Sequence, residues 1–239
     1  MNTEDIQFPC GEFRLAATRH LDGDGRLPRM LTILGLGATA SRSVLDYLLF
    51  DLAQYGQGAV SFDFSGNGDS TGIFEDSCLR RRHAETIAAA QLLDGTRRPI
   101  LLGTSMGGHL GAWITPVLNP STLILFCPAA YPSYAIDLKF DGNLARPWCY
   151  PNAPSLAGIR EFTGDLLVIA AKEDKVVPRE LIDAYVDHAS QARSKSVHWL
   201  DCDHFIHRWL PHHAEARAEV VRQILQTIAL SQQEPRTPC

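Results

Sequence analysis

Ser105 sits in the pentad Gly103-Thr104-Ser105-Met106-Gly107, between the apolar run Ile100–Leu102 and a stretch of helical periodicity that begins at Met106. Small neighbours permit a sharp strand-to-helix turn that pushes a serine Oγ clear of its own backbone, and the helix N-terminus beneath it favours developing negative charge. A serine hydroxyl is a weak nucleophile until a base takes its proton. Two residues of the right type follow, each just past an apolar run: Asp174 after Leu166–Ala171, and His204 after Ser196–Leu200. In these places His204 serves as base to Ser105, while Asp174 fixes the imidazole tautomer and steadies the imidazolium. Glu173 and Asp203 are carboxylates close enough in sequence to be mistaken for that acid. Attack on an acyl carbonyl also needs two backbone donors for the oxyanion. The N–H of Met106 is one. The other is expected in Leu34-Gly-Leu-Gly-Ala-Thr39, at Leu36, with Ala38 as the alternative if the turn runs one step later.

Such residues can meet only if strand ends gather at one edge. The apolar runs Met30–Leu34, Ala59–Phe62, Ile100–Leu102, Leu123–Cys127, Leu166–Ala171 and Ser196–Leu200 are short and bounded by Gly, Pro or Asp, as buried parallel strands are. Helical periodicity fills Ser43–Tyr55, Cys78–Leu93, Met106–Leu118, Arg179–Ala192 and His212–Ala229. In the last of these, Ala216, Val220, Ile224, Leu225 and Ile228 share one face. The alternation predicts an α/β fold with a mostly parallel central sheet and helices on both faces, with leading strands near Phe8–Leu15. Residues 1–230 read as a single domain, and the polar stretch 231–239, with its two prolines, as a disordered tail. The span Ala129–Thr163, rich in proline and too long for a bare loop, is expected to form a small cap over the carboxyl ends of the strands. Its aromatic residues Tyr131, Tyr134, Trp148 and Tyr150 are candidates for lining a substrate pocket.

The segment Phe62-Asp-Phe-Ser-Gly-Asn-Gly-Asp-Ser-Thr-Gly72 resembles the D-x-x-G-x-G-x-S segment of α/β-hydrolases. Together with Cys127-Pro-Ala-Ala130 it is most similar to the bacterial cinnamoyl and feruloyl esterases and their serine-aminopeptidase-like and monoglyceride-lipase-like relatives. The resemblance covers roughly Leu31 to Leu225. It implies the α/β-hydrolase fold, with Ser105, Asp174 and His204 matching the family's catalytic positions. The cap does not match, so no substrate carries over. Three positions depart from the pattern: a histidine common in the relatives is Leu34 before the oxyanion turn, Thr104 before the serine, and Asn67 between two glycines.

Composition narrows the function classes. The 239-residue chain is 45% hydrophobic and 21% charged, enough apolar matter for a sizeable core. Its formal net charge of −5 argues against nucleic acid or an anionic membrane as partner. The run Arg80-Arg81-Arg82 is better explained by a solvated helix face than by a phosphate site. No apolar stretch reaches the ~18 residues of a membrane span, and the first residues lack the apolar core of a secretory signal. Six widely spaced cysteines, with no C-x-x-C pair, suggest reduced thiols and a cytoplasmic location.

Other chemistry-bearing residues have simpler readings. His198, His207, His212 and His213 lack the carboxylate or thiolate spacing of a metal site and are expected at helix ends or on the surface. His109 and Cys202 are expected to pack. The residues therefore suggest an ester or thioester hydrolase acting on a small-molecule or carrier-bound acyl substrate, with neither metal nor organic cofactor. An acyltransferase using the same acyl-enzyme is the alternative, and a non-catalytic ligand binder the third reading. Oligomeric state stays open.

Overall fold

A computed structural model describes residues 2–142, 150 and 152–232. The chain begins with an antiparallel hairpin, β1 (Thr3–Cys10) and β2 (Phe13–His20), and continues through β3 (Met30–Ile33), α1 (Asp46–Ala53), β4 (Ala59–Phe62) and α2 (Leu79–Ala90). Then follow β5 (Ile100–Thr104), α3 (Met106–Trp113), α4 (Thr115–Leu118), β6 (Thr122–Phe126), α5 (Pro154–Arg160), β7 (Asp165–Ala171) and α6 (Arg179–His188). The last elements are β8 (Ser194–Leu200), α7 (Ile206–Trp209) and α8 (Ala214–Gln232).

The strands form one eight-stranded sheet in the order β1-β2-β4-β3-β5-β6-β7-β8. From β4 to β8 all neighbours run parallel, so their carboxyl ends share one edge. Strands β3, β4, β6 and β7 are buried along their whole length, which is why they read as unbroken apolar runs. The leading strands differ from the expectation at Phe8–Leu15, which straddles the hairpin turn. Strand β1 is a largely exposed edge with polar residues at half of its positions, so it carries little apolar signal.

The helices fall into two packed groups. Helix α8 lies on β6, β7 and β8 and touches α1; helix α3 lies on β3, β5 and β6 and touches α2 and α5. On α8 the buried residues Val220, Ile224 and Ile228 form the inward stripe at helical spacing. The helix expected over Met106–Leu118 breaks at Ile114. Pro116 has no N–H for the ladder, and its ring would crowd the carbonyl of Ala112, which accepts the Thr115 hydroxyl at 2.9 Å instead.

One further expectation is corrected. Arg82 is not on a solvated face: it is fully buried, its guanidinium 4.6 Å from the Phe64 ring centroid, with Phe74 and Phe140 also within 5.7 Å. Its neighbours behave differently, with Arg80 exposed and paired to Asp137 and Arg81 over Phe13. In the proline-rich span after β6, part of the described chain packs on the body of the fold. Residues Pro154–Arg160 of it form α5, which packs on α3 and α6, and Ala129, Ala130, Tyr131 and Ala135 are buried in the core.

Candidate active site

The turn from β5 into α3 carries Ser105 at φ 51° and ψ −111°, a region that L-residues adopt at a cost. The surroundings hold it there. Ser105 N–H donates to the Phe126 carbonyl at 2.8 Å, and the Ser105 carbonyl accepts from Ala129 at 3.0 Å, so the end of β6 clamps both sides of the residue. The glycines answer to close approach: a Cβ on Gly107 would lie 1.9 Å from the Ile33 carbonyl oxygen, and one on Gly103 would lie 2.3 Å from that of Gly107.

Asp174 and His204 lie in the loops after β7 and β8. His204 Nε2 is 3.1 Å from Ser105 Oγ, and His204 Nδ1 is 2.8 Å from Asp174 Oδ2. The tautomer that satisfies both contacts carries its hydrogen on Nδ1, leaving Nε2 to accept from the serine hydroxyl. The other carboxylate oxygen, Oδ1, accepts the Val176 and Val177 N–H groups, each at 2.8 Å. Burial alone would raise the Asp174 carboxyl. The hydrogen bonds from His204, Val177 and Val176 outweigh burial and hold it below its ordinary value, as an ionised carboxylate. Of the competing carboxylates, Glu173 is exposed, and Asp203 spends an oxygen on the Phe205 N–H.

The segment after β3 runs beside the serine. A Cβ on Gly35 would lie 3.5 Å from Ser105 Cβ. Among the described residues no backbone acceptor is paired with the N–H of Leu36 or of Met106. The turn is held from outside by Asn67, whose Nδ2 donates to the carbonyls of Gly37 at 2.8 Å and Ala38 at 3.2 Å. Asn67 in turn lies on a loop anchored by Asp63. That carboxylate is fully buried, pairs with the Arg42 guanidinium, and accepts the N–H groups of Arg42 at 2.6 Å and Asp69 at 3.1 Å.

No role at the site follows from the sequence for two of its neighbours. His207, expected at a helix end or on the surface, turns inward: its Nε2 meets Thr104 Oγ1 at 3.2 Å and its Nδ1 meets the Tyr47 hydroxyl at 2.9 Å. An imidazole thus stands beside the nucleophile turn, delivered from α7 rather than from position 104. Burial, with His204 close by, pushes the His207 imidazolium down to about 3, so the ring is neutral. The second neighbour is Cys127, just past β6 at φ 40° and buried, with its sulfur within 4.8 Å of an Asp174 carboxylate oxygen. A signal for both existed only in three dimensions, in which loops follow adjacent strand ends.

Above Ser105 opens a cleft of about 790 Å³. Leu34, Leu36, Val44, Val176, Phe205 and Ile206 supply its apolar walls, and Thr39, Ser41, Ser43, His207 and Arg208 its polar ones. Of the aromatic residues expected to line a pocket, Tyr131 borders the cleft, alone among the described ones. Tyr134 is 67% exposed, Tyr150 is half-buried against the core, and Trp148 lies outside the described residues. The segment after β3 and the loop after β8 build most of the cleft's walls. A groove of about 960 Å³ near Asn2, Asp22 and Gln54 lies at the opposite end of the strands, where His20 pairs with Ala59, and holds none of these groups. The scattered histidines do not converge on a metal. Among the described residues the one cluster of ligand atoms is Cys127, Asp174 and His204. His109 is fully buried, accepting the Tyr131 N–H at 3.3 Å.

No protein-family model and no curated protein sequence matches this chain. Solved structures do. The thioesterase domain from the curacin biosynthetic pathway matches with a TM-score of 0.71 at 15% identity, over 95% of this chain and 100% of its own. The esterase Est1E from Butyrivibrio proteoclasticus, solved with ferulic acid bound, matches with a TM-score of 0.72 at 21% identity, over 94% and 99%. The enol-lactonase from Burkholderia xenovorans LB400 matches with a TM-score of 0.71 at 13% identity, over 94% and 100%. The chain has the α/β-hydrolase fold.

Proposed function

We propose that this protein is a serine hydrolase that cleaves an ester or thioester through an acyl-enzyme on Ser105. The observation that carries the reading is the unbroken relay from Asp174 through His204 to Ser105, at 2.8 and 3.1 Å, on the floor of an apolar cleft. His204 Nε2 takes the hydroxyl proton as Ser105 Oγ attacks the acyl carbon. The oxyanion rests on the N–H groups of Met106 and Leu36, both without a backbone acceptor and both beside the serine. Leu36 is preferred to Ala38 because Gly35 is the residue of that turn that approaches Ser105. His204 then gives its proton to the leaving alkoxide or thiolate, and water, deprotonated by the same nitrogen, releases the acid. Names among the structural neighbours, a thioesterase, a feruloyl-binding esterase and an enol-lactonase, fit the same acyl chemistry.

A fluorophosphonate probe should label the wild-type protein and fail on Ser105→Ala, and a p-nitrophenyl ester should give a burst of one product equivalent per labelled site. Equal labelling of both proteins would remove Ser105 as the nucleophile.

A further inference from the structure

The mechanism makes no use of Cys127, yet this thiol stands against its acid and base. Cys127 Sγ, an Asp174 carboxylate oxygen and a His204 ring nitrogen all lie within 4.8 Å of one another. The placement is built. Strand β6 ends at Phe126 beside β7, and the left-handed backbone at Cys127 turns its side chain toward the loop after β7 that carries Asp174. Thiolate, carboxylate and imidazole are together a zinc donor set, with bonds of about 2.0–2.3 Å that set neighbouring ligands roughly 3.5 Å apart. Small side-chain shifts within the existing cluster span that distance. Hard cations such as magnesium prefer all-oxygen shells, so the donor set selects a softer metal.

From this juxtaposition we propose that Cys127, Asp174 and His204 form an inhibitory binding site for a thiophilic divalent cation, Zn²⁺ being the reference case. The inhibition rests on the hydrolase reading above; the binding does not. The proton balance follows from the ligands. Coordination removes the thiol proton to solvent, because a metal-bound thiol is deprotonated. His204 stays neutral but coordinates through Nδ1, so its proton moves to Nε2. That nitrogen then faces Ser105 Oγ as a donor and has no lone pair left to accept the hydroxyl proton. The metal therefore stops acyl-enzyme formation without entering the cleft's acyl space. Burial pushes the free Cys127 thiol up, which keeps it protonated and inert when no metal is present. The ion reaches the cluster past His204, whose side chain is the most exposed of the liganding histidine–aspartate pair and borders the cleft.

The full chain, freed of metal with a chelator, is titrated with Zn²⁺ while p-nitrophenyl butyrate turnover and fluorophosphonate labelling are read; Co²⁺ absorption is recorded separately. Zinc should suppress turnover and labelling, and chelator should restore both. Cobalt should give a thiolate-to-metal charge-transfer band. Cys127→Ala, normalised to its own zinc-free rate, should lose the band and raise the half-inhibitory zinc concentration about tenfold or more; Cys127→Ser serves if the alanine variant does not fold. Cys202→Ala should keep the band and the sensitivity. A band that is absent from the wild type, or that persists without Cys127, overturns the site. Unchanged zinc sensitivity in the Cys127 variants, or a cobalt band with no inhibition by zinc, overturns the inhibitory role. A zinc-free protein that neither turns over nor labels refutes the hydrolase reading alone, and the cobalt band still decides the metal site.

Discussion

At the scale of single residues, Asp174 has the most clearly defined task. One oxygen is held by two backbone N–H groups and the other faces His204, so the carboxylate cannot swing away from the imidazole. Asp174→Asn keeps the size but presents an N–H₂ or a neutral carbonyl to Nδ1. It should leave the fold and KM nearly intact and lower kcat by about 10³- to 10⁴-fold, because the wrong imidazole tautomer is then favoured. Steady-state kinetics beside a thermal melt checks this, and a fall in kcat of less than tenfold would remove Asp174 from the relay. Ser105, Asp174 and His204 were legible in the sequence because each follows a recognisable apolar run. Cys127 and His207 were not, because their partners are contributed by other strands and helices. Nothing near Cys127 in sequence announces Asp174, which is distant in the chain but follows the adjacent strand.

At the scale of elements, the site depends on a chain of supports. The buried Asp63–Arg42 pair fixes the loop after β4, Asn67 on that loop holds the Gly37 and Ala38 carbonyls, and the turn after β3 is thereby set beside Ser105. The loop's sequence, glycine-rich after Asp63, resembles a segment of α/β-hydrolases but does not reveal what the loop supports. The two members of this chain should fail differently. Asp63→Ala strands a mostly buried guanidinium and should cost ~3–5 kcal/mol of stability, read from urea unfolding. Asn67→Ala removes two hydrogen bonds at the oxyanion turn. It should cost only ~1–2 kcal/mol while lowering kcat about tenfold to a hundredfold with little change in KM. Equal loss of stability in the two variants would show that the loop, not the turn, is what Asn67 serves. Helix α5, within the proline-rich span after β6, is short and packs on α3, a contact that no local pattern in the sequence displays.

At the scale of the whole molecule, buried histidines set a pH limit on stability. His109 is fully buried, and burial, with His83 nearby, pushes it down to about 3, against 6.5 in an exposed chain. The unfolded state therefore binds a proton that the folded state refuses between those values. Stability is complete above about 6.5 and falls as the pH drops toward about 3, by ~1.4 kcal/mol per pH unit for this one group. His207 adds to the same slope, by less, because it is partly exposed. Urea midpoints from about pH 7.5 to about 4.5 should fall steadily for the wild type and less steeply for His109→Asn, whose Oδ1 replaces Nδ1 as acceptor of the Tyr131 N–H. Parallel slopes would place the acid sensitivity elsewhere. No described helix is long and apolar enough to cross a membrane.

The strand order also bears on the order in which a ribosome delivers the parts. Strands β3 to β6 occupy the middle of the sheet and are made before residue 127, so the turn bearing Ser105 is synthesised early. Strand β8, by contrast, is the outermost parallel strand among the described residues, pairs with β7, and is made after it, with His204 just behind it. A nascent chain stalled before β8 would carry the serine in its turn and an acid, with nothing to draw off the hydroxyl proton. On the reading proposed above, the serine gains its base only when β8 docks on β7.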